Sequence, residues 1–348
     1  YGHHVSLKPV LTGFGIQPSL LKSINTKSCQ NRFQGDMMAV SVPEARTRRV
    51  RSWGDACRCL VAAAIVMFPF YGQSSAAEDG ASLKNHILGL GTCPPWNPQS
   101  VEICRYSVDK VMSSLAPRLD AGPDRQHLLV NEGASAAALK LKATELANKL
   151  GPEDRLVIYA NLPLGVVEPT GNADQTNYAL ELWASARPET TLQAISDGTW
   201  MSASAFAALI HAIPAGEVIL ILDTNNPQAF DLGLLEHHSV DNKNRPEALV
   251  ISSGPGQSAN YSADRTISLF GKHLAVALHA GEGTLQDIVT TAVNGTRQAA
   301  IPICAELKEK RGETTEPQPD CTQVPEIHDP DALLNRTMLL PLSESNVN

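Results

Sequence analysis

Asp223, Asn225, Ser252 and Ser253 are the polar residues best placed to do chemistry, because each sits where an apolar run ends. Val218–Asp223 is a continuous apolar stretch with an acidic end, and Ala248–Ser252 is a second. A third, Arg155–Ala160, leads into Asn161-Leu162-Pro163-Leu164-Gly165. A carboxylate, a carboxamide and two hydroxyls gathered in one place could hold a polar ligand. Breaking a bond asks for more: a hydroxyl or thiol becomes an effective nucleophile when a base such as imidazole takes its proton and later passes it to the leaving group. Ser252 or Ser253 would need a histidine at a neighbouring strand end, and none occurs between His127 and His211. His211, His237, His238, His273 and His279 fall on predicted helices or at their ends, where an isolated histidine more often serves packing or the surface.

The cysteines point to oxidative pairing rather than catalysis. Cys93, Cys104, Cys304 and Cys321 follow a leader-like segment, and an even number in an oxidising compartment suggests disulfides. Of the three pairings they allow, Cys93–Cys104 and Cys304–Cys321 are expected, since each closes a Pro-containing loop. No CxxC or HxxxH spacing is present, so no metal site is expected. Gly89-x-Gly91 runs into Cys93-Pro94-Pro95 instead of a helix, and Gly254-Pro255-Gly256 is too short for a phosphate loop and lacks a following lysine. No cofactor is expected. Trp96, Trp183 and Trp200 fall in loops or at helix edges and are expected in core packing or interface contacts, with a ligand-facing role as the alternative.

The elements that must position these residues alternate along the chain. Strands are predicted over His86–Leu90, His127–Val130, Arg155–Ala160, Val218–Asp223 and Ala248–Ser252. Helices are predicted over Ser100–Leu119, Ala134–Leu150, Ser202–Ile213 with Ser202 or Ser204 as N-cap, Ile267–His279 and Thr284–Gln298. That alternation indicates a mostly parallel sheet covered by helices, an α/β fold with its functional edge at the carboxyl ends of the central strands. Residues 190–196 and 320–327 are candidates for edge strands, and the stretch after Ala160 that contains Gly165, Pro169 and Gly171 reads as a long loop.

Residues 46–77 read as an export signal. Arg46, Arg48, Arg49 and Arg51 precede the apolar run Leu60–Tyr71, and Ser75-Ala76-Ala77 offers small residues for cleavage. Translation is expected to start at Met37 or Met38, with residues 1–45 untranslated or disordered. The main domain is expected over 78–307, and 308–348, rich in Pro, Thr and charge, as a tail. Residues 1–77 carry nine of the 28 Lys/Arg and three of the 36 Asp/Glu, which leaves a net charge of −14 beyond them. That balance argues against nucleic acid and anionic lipid as partners, and no membrane span is expected once the signal is removed. An exported protein, periplasmic or secreted, is the expectation.

The ordered set of strand ends also carries a family likeness. Glu153–Tyr159 resembles the strand that leads into the His-Gly loop of caspase-like peptidases, and Val218–Asp223 followed by Thr224-Asn225-Asn226 resembles the strand that ends in their Asp-x-Cys segment. Ala248–Asn260 is similar to the following strand and its small-residue loop, and Leu269–Leu274 to the family's Phe-Thr-x-x-Leu helix. The likeness spans about residues 84–300. It implies a three-layer α/β/α sandwich on a six-stranded, mostly parallel sheet, and a cysteine-type endopeptidase ancestry. It also puts the catalytic histidine at Leu162–Pro163 and the nucleophile at Asn225. Proline is no base and alters the loop backbone, and a carboxamide does not ionise. The resemblance therefore implies a pseudo-peptidase that binds a peptide or protein through Asp223, Ser252 and Ser253. In the metacaspase branch the residue matching Asp223 helps form a pocket for basic side chains; the other reading of Asp223 is a strand-end carboxylate capping N–H groups of the following turn. An active hydrolase with unrecognised catalytic residues and an unrelated doubly wound α/β binding domain stand as alternatives.

Overall fold

Runs of β-branched and other apolar residues without polar alternation make strands buried on both faces, and such strands need helices above and below them. The computed structural model describes residues 83–167, 177–225, 245–311 and 320–341. In chain order its strands are β1 (Lys84–Gly91), β2 (Gln126–Val130), β3 (Asp154–Asn161), β4 (Leu164–Val167), β5 (Asn177–Leu180), β6 (Met201–Ser202), β7 (Glu217–Asp223), β8 (Glu247–Ile251) and β9 (Glu326–His328). Its helices are α1 (Pro98–Arg118), α2 (Ala136–Lys149), α3 (Thr191–Ser196), α4 (Ala203–His211), α5 (Leu269–Ala280), α6 (Leu285–Arg311) and α7 (Leu333–Arg336).

The main sheet has six strands in the order β2-β1-β3-β7-β8-β9. The first five run parallel and β9 is antiparallel to β8. Alternate residues of the central strands feed two separate cores. Leu156, Ile158, Val218 and Leu220 pack with Leu139 and Leu146 of α2 and Phe206 and Ile210 of α4. Val157, Tyr159, Ile219 and Ile221 pack on the opposite face with Val108 and Leu115 of α1, Phe270 and Leu274 of α5, and Ile288 of α6. The result is the three-layer α/β/α sandwich expected from the sequence. Local chemistry sets the helix starts: the hydroxyls of Ser135, Ser202 and Ser268 accept from the backbone N–H of Ala138, Ala205 and Gly271, capping α2, α4 and α5.

Some elements differ from expectation. Residues 190–196 form a helix rather than an edge strand, because the Thr190 hydroxyl caps it by accepting from the Gln193 N–H. The long loop after β3 contains a second sheet, β4-β5-β6, paired antiparallel throughout. Helix α6 continues past Gln298 and through Pro302 to Arg311. The candidate edge strand at 320–327 is met by β9, at Glu326–His328, and the rest of 320–341, expected as tail, adds the short helix α7, whose Leu333 and Leu334 are buried against the sheet. The leader, residues 1–45, Pro169, Gly171, Asn226, His237, His238 and residues 312–319 and 342–348 lie outside the described residues.

One close approach sets a requirement at the entry to β7. The N–H of Gly216 donates to the Asp154 carbonyl, and a Cβ at Gly216 would sit 2.0 Å from the Pro152 carbonyl oxygen. Backbone offers no rotamer to swing away. Gly216→Ala is expected to lower the unfolding free energy by about 2–3 kcal/mol in urea titration, with an unchanged midpoint as the contrary result.

Candidate functional site

Parallel pairing brings the carboxyl ends of β3, β7 and β8 to one edge. Asn161 is in register with Asp223, and Leu222 with Ile251, so Leu162–Leu164, Thr224–Asn225 and Ser252–Gly254 lie side by side. The juxtaposition is the one the sequence implied. What the residues do there is chiefly to bind one another.

Asn225 spans the gap between β7 and the start of β4. Its Oδ1 accepts from the Leu164 N–H at 3.0 Å, and its Nδ2 donates to the Leu164 carbonyl at 3.3 Å. The carboxamide thus pairs with the backbone as a neighbouring strand would. Leu162 is buried in the core beside α2 and α4, and the half-buried Pro163 offers its carbonyl to the Glu181 N–H. Both serines are 0% exposed. The Ser252 hydroxyl accepts from the Thr224 N–H at 2.9 Å and donates to the Thr224 carbonyl, to which the Ser253 hydroxyl also donates at 2.8 Å. These hydroxyls clasp the backbone of Thr224 at the end of β7.

The described partners of the Asp223 side chain are ones the sequence readings did not name. That side chain is 2% exposed and turns inward. Oδ2 accepts from the Tyr159 hydroxyl at 2.6 Å and from the Ser268 hydroxyl that caps α5. Of the N–H groups that follow it, that of Thr224 goes to Ser252. Among the described residues Oδ1 has no hydrogen-bond partner. Burial raises the carboxyl pKa, partly opposed by the hydrogen bonds from Ser268 and Tyr159, and burial beside this acid pushes the Tyr159 phenol well above its usual value. Asp223 therefore ties β7 to β3 and to the start of α5.

The disulfides Cys93–Cys104 and Cys304–Cys321 are both formed, with Cα–Cα distances of 5.7 and 5.1 Å. Asp320 lies beside the second pair, but disulfide sulfurs are not thiolate ligands, so the group is no metal site. Of the described histidines, His86, His127 and His211 lie toward the amino ends of the strands, and His328 is on β9. His86 and His127 stack with centroids 6.1 Å apart, His86 near the start of β1 and 3.5 Å from Asp154. Burial lowers both imidazole pKa values. His211 ends α4 and lies 3.7 Å from Glu247 at the start of β8; His273 and His279 sit on α5.

One group escaped the sequence reading. Beside the strand ends a cleft of about 500 Å³ is lined by Trp96, Trp200, Glu181, Arg187, Glu189 and Thr191 among others. Three of these lining groups close over Gly165 of β4: a Cβ there would lie 3.1 Å from the Trp200 ring, 3.2 Å from the Thr191 hydroxyl and 3.3 Å from Glu181 Oε1. Burial pushes the Glu181 carboxyl up to about 7, with Arg187 pulling it down. Trp200 is 9% exposed and Trp96 36%. Glu181 follows β5 by one residue, in a segment with no apolar run to announce it.

No family model and no curated protein matches the sequence. Among solved structures, the crystal structure of protein GSU0716 from Geobacter sulfurreducens is similar at 14% identity and a TM-score of 0.48, over 74% of this chain and 100% of that one. At that level the likeness bears on neither substrate nor mechanism.

Proposed function

We propose that this chain is an exported, caspase-like pseudo-peptidase that binds a peptide or protein without cutting it. The observation that carries the reading is the two-way bond between the Asn225 carboxamide and the Leu164 backbone. It occupies the junction of strand ends where the resemblance expects a thiol to meet an imidazole. A carboxamide committed to backbone pairing neither ionises nor accepts a proton, and losing both partners of a nucleophile–base pair lowers rate by orders of magnitude. The buried hydroxyls of Ser252 and Ser253, each donating to a backbone carbonyl, support the same reading. The two disulfides fit an oxidising compartment, and among the described residues no helix is long and apolar enough to cross a membrane.

The test is direct. Incubated with arginine- and lysine-containing peptides, the full chain is expected to leave them intact by mass spectrometry, and thiol- and serine-directed activity probes are expected to leave it unlabelled. Cleavage that Asn225→Ala abolishes, or one labelled residue near Asp223, would sink the proposal in favour of an active hydrolase.

A further inference from the structure

We infer that the groove between α1 and α5 binds a small anionic amphiphile, an alkyl chain ending in a carboxylate. The groove lies on the helical layer, away from the strand ends, and the inference stands apart from the peptide-binding reading. Its volume of about 400 Å³ is within the range of small-molecule sites. Each helix presents one apolar and one cationic side chain four residues apart: Tyr106 and Lys110 on α1, Val276 and Lys272 on α5. The buried Ile267 and Ala275 line it from beneath. Tyr106 and Val276 are 45% and 56% exposed, so adjoining large apolar side chains stand in water, and a bound alkyl chain would cover them. The walls are fixed before any ligand arrives. The Ser268 N–H donates to the Ser107 hydroxyl at 2.9 Å, and the buried Arg118 donates through Nη1 to the Leu278 carbonyl at 2.9 Å, which ties the two helices at both ends. A preformed groove spares a ligand the cost of ordering it.

Charge sets the sign of the head group. Among the described residues neither Lys110 nor Lys272 joins an ion pair; on α1 the pairs are those of Arg105 with Glu102 and Asp109. The acid in the lining, Asp264, is satisfied within its own loop: its Oδ1 accepts from the Ser262 hydroxyl and from the N–H and hydroxyl of Thr266. Those hydrogen bonds, Ser262's first, hold its carboxyl below the usual carboxylate range, and the attraction of Lys272 adds least. Two lysines thus face one acid whose bonding is already met, and the ring of His279 lies beside them. The groove is therefore rimmed by cations, in a chain whose net charge beyond residue 77 is −14. Lysine stems lie along apolar surface while their ammonium groups stay in water. An alkyl chain between the helices with its carboxylate at the lysines meets both parts, and the carboxylate gains charge-assisted hydrogen bonds. A cationic amphiphile would meet the same apolar wall with repulsion at its head.

Calorimetric titration of the full chain with decanoate, hexanoate and decyltrimethylammonium, each below its micelle concentration, tests the assignment. Decanoate is expected to bind about tenfold more tightly than either, since hexanoate loses apolar contact and decyltrimethylammonium opposes the lysines. Lys110→Gln and Lys272→Gln are each expected to weaken decanoate about threefold, and together to bring decanoate and decyltrimethylammonium to parity. Val276→Glu, at an exposed site that spares the core, puts a like charge in the groove. It is expected to weaken decanoate about tenfold or more while leaving the thermal midpoint unchanged. No decanoate binding, parity of decanoate with hexanoate or decyltrimethylammonium in the unaltered chain, or decanoate binding untouched by Val276→Glu overturns the site. A concentration-dependent dimer in sedimentation that Val276→Glu dissolves would overturn it as well, giving this face to a second copy.

Discussion

Asp223→Ala is expected to lower the unfolding free energy by about 3–5 kcal/mol, among the largest effects of any single polar substitution in the sheet. The Asp223 carboxylate receives Tyr159 from β3 and Ser268 from the start of α5, and all three side chains are buried. Removing it strands two hydroxyls in the interior and loosens the cap that holds the Gly271 N–H. Asp223→Asn keeps an acceptor oxygen of similar shape and should cost less, about 1–2 kcal/mol. Urea titrations of the three proteins provide the check. If alanine and asparagine cost the same, the carboxylate is not the joint described.

The pH dependence gives a second readout on the same residue. Burial raises the folded-state pKa of Asp223 above the ordinary 3.8, so ionisation is harder in the fold than in the unfolded chain. Its contribution is therefore fully present below pH 3.8 and is lost as pH rises through the folded pKa. Asp223→Asn should remove that slope. Glu181 acts with the same sign between 4.5 and about 7, so Glu181→Gln separates the two.

Removing the Cys304–Cys321 bond as a double alanine variant is expected to cost about 3 kcal/mol, and removing Cys93–Cys104 less. Sequence separations of 17 and 11 are too similar for loop entropy to distinguish them by more than about 0.4 kcal/mol. The difference comes from what each tie holds. Cys93–Cys104 links the loop after β1 to the adjacent helix α1. Cys304–Cys321 links α6 to the segment that supplies Gln323, β9 and α7, and Gln323 donates to the Ser252 carbonyl and accepts from the Asn260 N–H. Thermal melts of both double variants test the ranking; equal losses would mean that residues 320–341 stay docked without the bond.

The sheet was legible because its strands are buried on both faces. Val218–Asp223 has no polar alternation to confuse it, and the serine cap at 202 marks its helix in one residue, whereas the cap at 268 fell inside the helix predicted from Ile267. The signals that misled were local ones overridden by context. The β-branched pair Thr190-Thr191 suggests a strand, yet a hydroxyl cap makes it a helix start. Pro302 suggests a stop, yet α6 continues and is tied two residues later through Cys304. At the candidate site, the positions of Asn225, Ser252 and Ser253 followed from strand ends, but the inward turn of Asp223 did not, since it depends on Tyr159 and Ser268 arriving from distant segments. Glu181 was invisible for the same reason: its neighbours Gly165 and Trp200 meet it only through antiparallel pairing of β4, β5 and β6.

The antiparallel strand at the sheet margin has a consequence for synthesis. β9 reaches its place only after both α5 and α6 have been made, so a nascent chain carries β8 with one row of backbone donors and acceptors unmatched. Such a row templates pairing with other chains until its own last strand seals it. A ribosome that stops before Glu326 thus releases a sticky product, even with all five parallel strands and both covering layers already in hand.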